Sequence, residues 1–233
     1  MRPEAAPPFV VPSLPARPCP LGAAVRCGYT ICAMRGVFVL PLYPLQGLVL
    51  LPGERCAVPF EKGEPRTALA RARDHGGAVV ASLVDGESVH EVGVTAIVGD
   101  SAEGETSLHG VTRCRLVSLQ NDDALMVRAE RFPDQEVAER RGGPVGRLLH
   151  VRYGRLCLRL GRDAAVPPPG DLSALTWRIT AGLGMPPEQQ QGFLNVPDPL
   201  TRARLLLLAV RELERRERFL RQWAHLRSTN PWN

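Results

Sequence analysis

A chain of 233 residues, 44 % hydrophobic and with a formal net charge of +5, reads as a soluble globular protein with room for one large domain or two small ones. No apolar stretch approaches the roughly 20 residues needed to span a bilayer, the densest run being Leu205 to Val210, so no membrane partner is expected. Cys19, Cys27, Cys32, Cys56, Cys114 and Cys157 include no Cys-x-x-Cys pair, which argues against a zinc or disulfide framework and for scattered reduced thiols in a cytoplasmic setting.

Residues 1–35 hold seven prolines, all between Met1 and Pro20, and no continuous apolar segment of secretory type; a disordered leader is expected, with Met34 as a candidate start. Short runs rich in Val, Leu and Thr then predict strands at Val37 to Tyr43, Leu48 to Leu51, Cys56 to Phe60, Ala78 to Val84, Val89 to Val98, Glu105 to Leu119 with a bend at Gly110, and Ala124 to Arg131. Pro41 and Pro44 donate no ladder hydrogen bond, so the first strand is expected at an edge or bending around a barrel rim, and Pro52-Gly53 sets a turn after the second. One helix interrupts the strands, with Pro65 in its first turn and Gly76-Gly77 as its stop.

Beyond Arg131 the period changes. After a charged connector at 135–143, Val145, Leu149, Tyr153, Leu156 and Leu160 line one face of a helix that Pro167-Pro-Pro-Gly170 breaks. Asp171 is placed to cap a second helix running to about Ala181, Pro186-Pro187 starts a short third, and Asp198 caps the last and longest with Pro199 at its first position. Leu206, Ala209, Leu213, Leu220 and Trp223 form its expected apolar stripe, and Glu212-Arg216, Glu214-Arg218 and Glu217-Arg221 stand at i to i+4 spacing. The expected plan is α+β: a β-barrel with one inserted helix at 36–134, an α-helical bundle at 144–228 and a short tail at 229–233.

The net charge hides an asymmetry. Gly36 to Asp134 carries nine Lys/Arg against fourteen Asp/Glu, whereas Gln135 to Asn233 carries sixteen against nine. The barrel is acidic and the helical half basic, which argues against nucleic acid lying on the barrel.

Little in the chain supports catalysis. No Gly-x-x-x-x-Gly-Lys-Ser/Thr run is present, and the only lysine, Lys62, stands in a loop rather than at the start of a helix, which argues against both ATP hydrolysis and a Ser-Lys peptidase. His75, His90, His109, His150 and His225 fall on five different elements, so no metal or other cofactor is expected. Cys114 and His109 share one strand segment but, five residues apart, point to opposite faces unless the bend at Gly110 intervenes.

Leu40-Pro-Leu-Tyr-Pro-Leu45, Leu51-Pro-Gly53, Phe60-Glu61, Val92-Gly-Val94, Leu108-His-Gly-Val-Thr-Arg113 and Arg115-Leu-Val117 follow one another in an order that resembles the N-terminal domain of the Lon protease family, from Val37 to the helix ending near Trp223. One departure is the insertion of Lys62-Gly63-Glu64 between Phe60-Glu61 and Pro65-Arg66. The resemblance implies a PUA-like antiparallel barrel, here in stand-alone form without ATPase or peptidase modules. It also implies a role in recognising unfolded or hydrophobic polypeptide in protein quality control, with delivery to a separate ATP-dependent protease or chaperone as a further step. An extended peptide is then expected on a strand edge and the adjacent loop, with Phe60, Tyr43 and Leu45 giving apolar contact and Glu61, Lys62 and Glu64 charge discrimination at the rim. Two other readings stand beside it. One is nucleic-acid binding through the Arg-rich helical half; the other is a homo-oligomeric scaffold in which the last helix pairs with its counterpart.

Overall fold

The computed structural model describes residues 36–59, 64–102, 105–121, 124–162 and 171–223. Its strands are β1 (Val37–Gln46), β2 (Arg55–Pro59), β3 (Ala78–Asp85), β4 (Ser88–Val89), β5 (Val92–Ala102), β6 (Glu105–Asn121) and β7 (Leu125–Arg131). Five of them close a ring in the order β1-β7-β6-β5-β3 and back to β1, with β2 attached to β6 and β4 to β3. The pairings are antiparallel apart from β1 with β3, which is parallel and completes the closure.

The prolines of β1 take their place from that closure. Val37 to Pro41 pair with β7, and Leu42 to Gln46 pair with β3, so the strand changes partner at the Pro41-Leu42 step. A residue without an N–H falls where one ladder hands over to the next. Of the two expected placements, edge or rim, the strand takes the second.

Both faces are buried along Leu40 to Tyr43 of β1 and Ala78 to Leu83 of β3, which accounts for the continuous apolar runs there, whereas Val37 and Val39 at the start of β1 are exposed. Leu40, Leu42, Ala78, Val80, Cys114, Val127 and Ala129 fill the barrel interior, while Tyr43, Leu45, Val79 and Ala81 point to the outer wall. That wall is covered on one side by α1 (Glu64–Ala72) through Ala68, Leu69 and Ala72, and by Val58 of β2. A 3-10 turn, Arg73–His75, follows α1, and the chain then reverses through Gly76 and Gly77, whose φ of 66° and 79° suit residues without a Cβ.

The expected strand at Leu48 to Leu51 is absent. Val49, Leu50 and Leu51 are buried without joining the ladder, and the run ends in a turn where the Glu54 N–H donates to Leu51 O at 3.1 Å. This turn is stitched to β6 by Gly53 N–H to Gly110 O and Gly110 N–H to Glu54 O, both 2.9 Å. A Cβ on Gly110 would stand 2.4 Å from Leu51 O, so only glycine allows this approach. The β5–β6 register slips at the same place, from Thr95 opposite Thr112 to Ala96 opposite Gly110, and the expected bend is therefore a β-bulge.

The helical half comprises α2 (Glu139–Arg159), α3 (Leu172–Gly182), α4 (Pro187–Leu194) and α5 (Pro199–Gln222). Here α2 begins at Glu139, inside the expected connector at 135–143, and carries Pro144 inside its second turn. Gly142 is buried there, and a Cβ on it would lie 3.2 Å from both Leu172 and Val137, so the glycine lets α2 come close to α3. The caps fall where expected: Asp171 accepts from Ser173 and Ala174 N–H, and Asp198 from Leu200 and Thr201 N–H. Leu149, Tyr153, Leu156, Leu175, Ile179, Ala203, Leu206 and Val210 form the core of this half. The α5 stripe is corrected: Leu206 is buried and Ala209 and Leu213 pack beside it, but Leu220 and Trp223 are exposed. Glu214 reaches across to Arg152 of α2 at 3.5 Å, whereas Glu212-Arg216 and Glu217-Arg221 pair along the helix.

The two halves meet over Val49, Leu51, Val92, Val94, Trp177 and Leu194, and over a charged cluster. Arg113 of β6 and Arg202 of α5 are buried at 2 % and 0 % exposure and share the carboxylate of Asp134. Arg202 donates through Nη1 to Oδ1 at 2.7 Å and through Nη2 to Oδ2 at 2.5 Å, while Arg113 and the Ser173 hydroxyl also donate to the carboxylate. The remaining guanidinium donors reach Leu194 O, Val196 O and Thr176 Oγ1. Arg202 also stacks 3.7 Å from the Trp177 ring centroid, and Arg113 stands 4.5 Å from that of Phe132. Burial raises the Asp134 pKa, but the hydrogen bonds from Arg202 and Ser173 and the two positive charges outweigh it and hold the carboxyl below its usual range. Burial brings Arg113 down to about 10, with Asp134 opposing the shift.

Candidate functional site

The residues expected to bind a ligand separate into two groups. Tyr43 and Leu45 each show 3 % exposure and lie beneath α1, packed against Val58, Leu69 and Leu108. Their side chains support the site from below and offer no surface contact. The Tyr43 hydroxyl donates to Pro59 O at 3.4 Å, so the ring holds the end of β2. Phe60, Glu61 and Lys62 lie outside the described residues, and of Glu64 only the backbone, which opens α1, is described.

The chain from β2 through to α1 borders two features that an elongated ligand requires. Among the described residues β6 is the one strand partner of β2, pairing from Arg55 opposite His109 to Pro59 opposite Glu105. Val58 points into the wall, whereas Arg55, Ala57 and Pro59 are exposed. Across β6 from β2, a groove of about 390 Å³ runs between α1 and the β5–β6 hairpin. Its apolar floor comes from Leu69, Ala72 and Val98, and the exposed Arg66 of α1 and Arg73 of the 3-10 turn also line it. Sequence periodicity marks Leu69 and Ala72 as helix core; the groove itself arises from β5 and β6, which are remote in the chain.

Among the described residues here, His109 and the two cysteines are not assembled as a nucleophile and base. His109 Nδ1 is engaged at 3.1 Å with Glu54 O, while the fully buried Cys114 lies in the barrel interior, where burial pushes its thiol up to about 12. Cys56 is likewise pushed up to about 12 by burial, with the Glu54 charge adding to the shift. Glu54 itself is raised to about 7 by burial, against a hydrogen bond with the Leu51 backbone and the charge of Arg178. Among the described residues no three His, Cys, Asp or Glu side chains are grouped to hold a metal ion, and no helix is long and apolar enough to cross a membrane.

No family model matches the sequence, and no curated protein does. Solved structures do. The N-terminal domain of a Mycobacterium avium complex Lon protease superposes with a TM-score of 0.60 at 19 % identity, over 74 % of this chain and 98 % of that one. A Lon N-terminal domain protein from Xanthomonas campestris gives 0.55 at 22 % identity, over 73 % and 98 %. The chain has the Lon N-terminal domain fold. In that fold both the ring of strands and the helical half are accounted for, since each neighbour is covered almost end to end.

Proposed function

We propose that the protein is a non-catalytic module that recognises extended, unfolded or hydrophobic polypeptide, taking one stretch of the segment along the outer side of β2 and a second, apolar stretch in the groove beside α1. The observation that carries this reading is the pairing of β2 on one side only among the described residues, with an apolar-floored groove across β6 from it. Main-chain hydrogen bonds to an edge give affinity without regard to sequence, and a pocket for alternate side chains selects apolar residues, which is what an unfolded segment presents. Arg66 and Arg73 favour segments with an acidic residue beside the apolar one. Phe60, Glu61, Lys62 and Glu64 remain the proposed rim contacts, and delivery to a separate protease or chaperone is the proposed consequence of binding.

A photo-crosslinking residue at the exposed Ala57 tests this directly. Capture of a denatured client, with the folded client left free, is the expected result. Negligible capture of both, or equal capture of both, would remove the proposal.

A further inference from the structure

Helix α5 has two apolar faces, and only one is used by the fold. Arg202, Ala203, Leu206, Leu207 and Val210 are buried against α2 and α3. On the opposite side Leu205, Leu208, Phe219 and Trp223 fall within about 60° of arc at 100° per residue and extend over about 27 Å of helix. All four are exposed, Leu208 and Phe219 at 59 %, and the Phe219 and Trp223 rings stand 6.1 Å apart. Arg204, Arg211, Arg215 and Arg218 recur at steps of seven, four and three residues, which draws an exposed row of positive charge along one flank. Arg216 stands on the other flank. Glu212 is the one carboxylate within the stripe, and Arg215 and Arg216 hold it at 3.2 and 3.3 Å.

From this placement we infer that the outer face of α5 docks the protein on an anionic lipid surface. The face is the outer side of a single helix, which a plane of headgroups can receive. Leucines with Phe and Trp at one end enter the headgroup boundary while the flanking guanidinium groups meet phosphates, the arrangement by which an interfacial helix binds. A second copy fits poorly, because pairing this face with itself brings one arginine row against another. Nucleic acid would use the arginines but leave Leu205 and Leu208 with nothing to bury against. Absence of a spanning segment does not bear on such binding, which needs one apolar stripe lying in the surface plane.

Flotation of the full chain with phosphatidylcholine vesicles, with and without phosphatidylglycerol, tests the inference. Binding to the anionic vesicles alone, weakening as salt is raised, is expected. Replacing Arg204, Arg211, Arg215 and Arg218 together by Gln should reduce partitioning roughly a thousandfold. F219S/W223S should abolish it with the circular dichroism spectrum unchanged, since neither side chain is in the core. Equal binding to both vesicle types, binding to neither, or binding that survives these substitutions would overturn it. So would retention on RNA or polyglutamate that the same substitutions abolish while vesicles stay unbound.

Discussion

The outer wall of the barrel is covered twice, and the two covers are held by different means. Helices α3 and α4 sit on Val49, Leu51, Val92 and Val94 with Trp177 and Leu194, and beside them Asp134 is gripped by two buried arginines. Helix α1 sits on Tyr43, Leu45, Val79 and Ala81 with three apolar side chains, and its one described ion pair, Arg71 with Asp74, is exposed. Removing one member of the first arrangement leaves charge stranded in the interior. The second rests on apolar packing and tolerates small shifts. The proposed polypeptide site lies beside the second cover, where a ligand can displace surface at low cost, whereas the first cover acts as a fixed joint between the halves.

The largest expected effect is at that joint. Asp134→Ala leaves Arg113 and Arg202 buried without a counter-charge and should cost about 3 to 5 kcal/mol in urea unfolding. The pH dependence has a definite sign. The folded carboxyl titrates below its unfolded value of about 3.9, so its contribution is complete above that value and is lost as pH falls through the folded one. An unfolding midpoint unchanged in the variant would show that the joint is not held by this carboxylate.

At the other cover, Leu69→Ala should cost toward the lower end of the roughly 2 to 5 kcal/mol typical of a buried leucine, because α1 can settle onto the smaller side chain. The comparison predicts where the loss is felt. Amide exchange in α1 should rise while β1 and β3 stay protected, and polypeptide capture at Ala57 should change with it. Equal loss of protection in α3 would mean that the two covers are one cooperative unit.

Features set by local chemistry were legible in the sequence. Asp171, Asp198 and Pro199 announce their helix starts, and Gly76-Gly77 a stop, because a cap acts within one turn of chain. What depends on distant partners was not. Leu48 to Leu51 has the composition of a strand but finds no ladder, and Pro41 looks like an edge residue until β3 arrives to share β1. Arg202 stands in a helix whose other arginines face solvent, and nothing local separates it from Arg204; its counter-charge, Asp134, lies 68 residues earlier. For the candidate site, the β2-to-α1 stretch was identified by its order, while Tyr43 and Leu45 were read as contact residues because a strand's two faces become distinct only once α1 is placed on one of them.

Glu54 gives an intermediate effect that separates the covers by pH. Its folded value of about 7 lies above the unfolded one near 4.5, so the folded state binds the proton more tightly. Stability from this group is greatest below pH 4.5, declines as pH rises to about 7 and is flat beyond, opposite in sense to Asp134. Glu54→Gln should therefore stabilise the protein at pH 8 by about 1 to 3 kcal/mol, allowing for solvent at this partly buried site, and leave it unchanged near pH 4. Urea midpoints at the two pH values provide the measurement, and parallel titration of both proteins would count against the assignment.

The smallest effect concerns how α5 is started. Asp198 accepts from the Leu200 and Thr201 N–H groups at 3.0 Å each and satisfies two donors that the first turn leaves free. Asp198→Ala should cost about 1 kcal/mol, and Asp198→Asn, which keeps the acceptor, much less. Because Arg202 sits one turn further on and Val196 O receives its Nη1 at 2.9 Å, fraying of this turn reaches the joint directly. Combined with Asp134→Ala, the cap variant should therefore cost less than the sum of the two, since the arginine it helps to place has already lost its carboxylate. Strict additivity in that double-mutant cycle would show that the cap and the joint act independently, and that α5 is placed on the barrel by its apolar face rather than by Arg202.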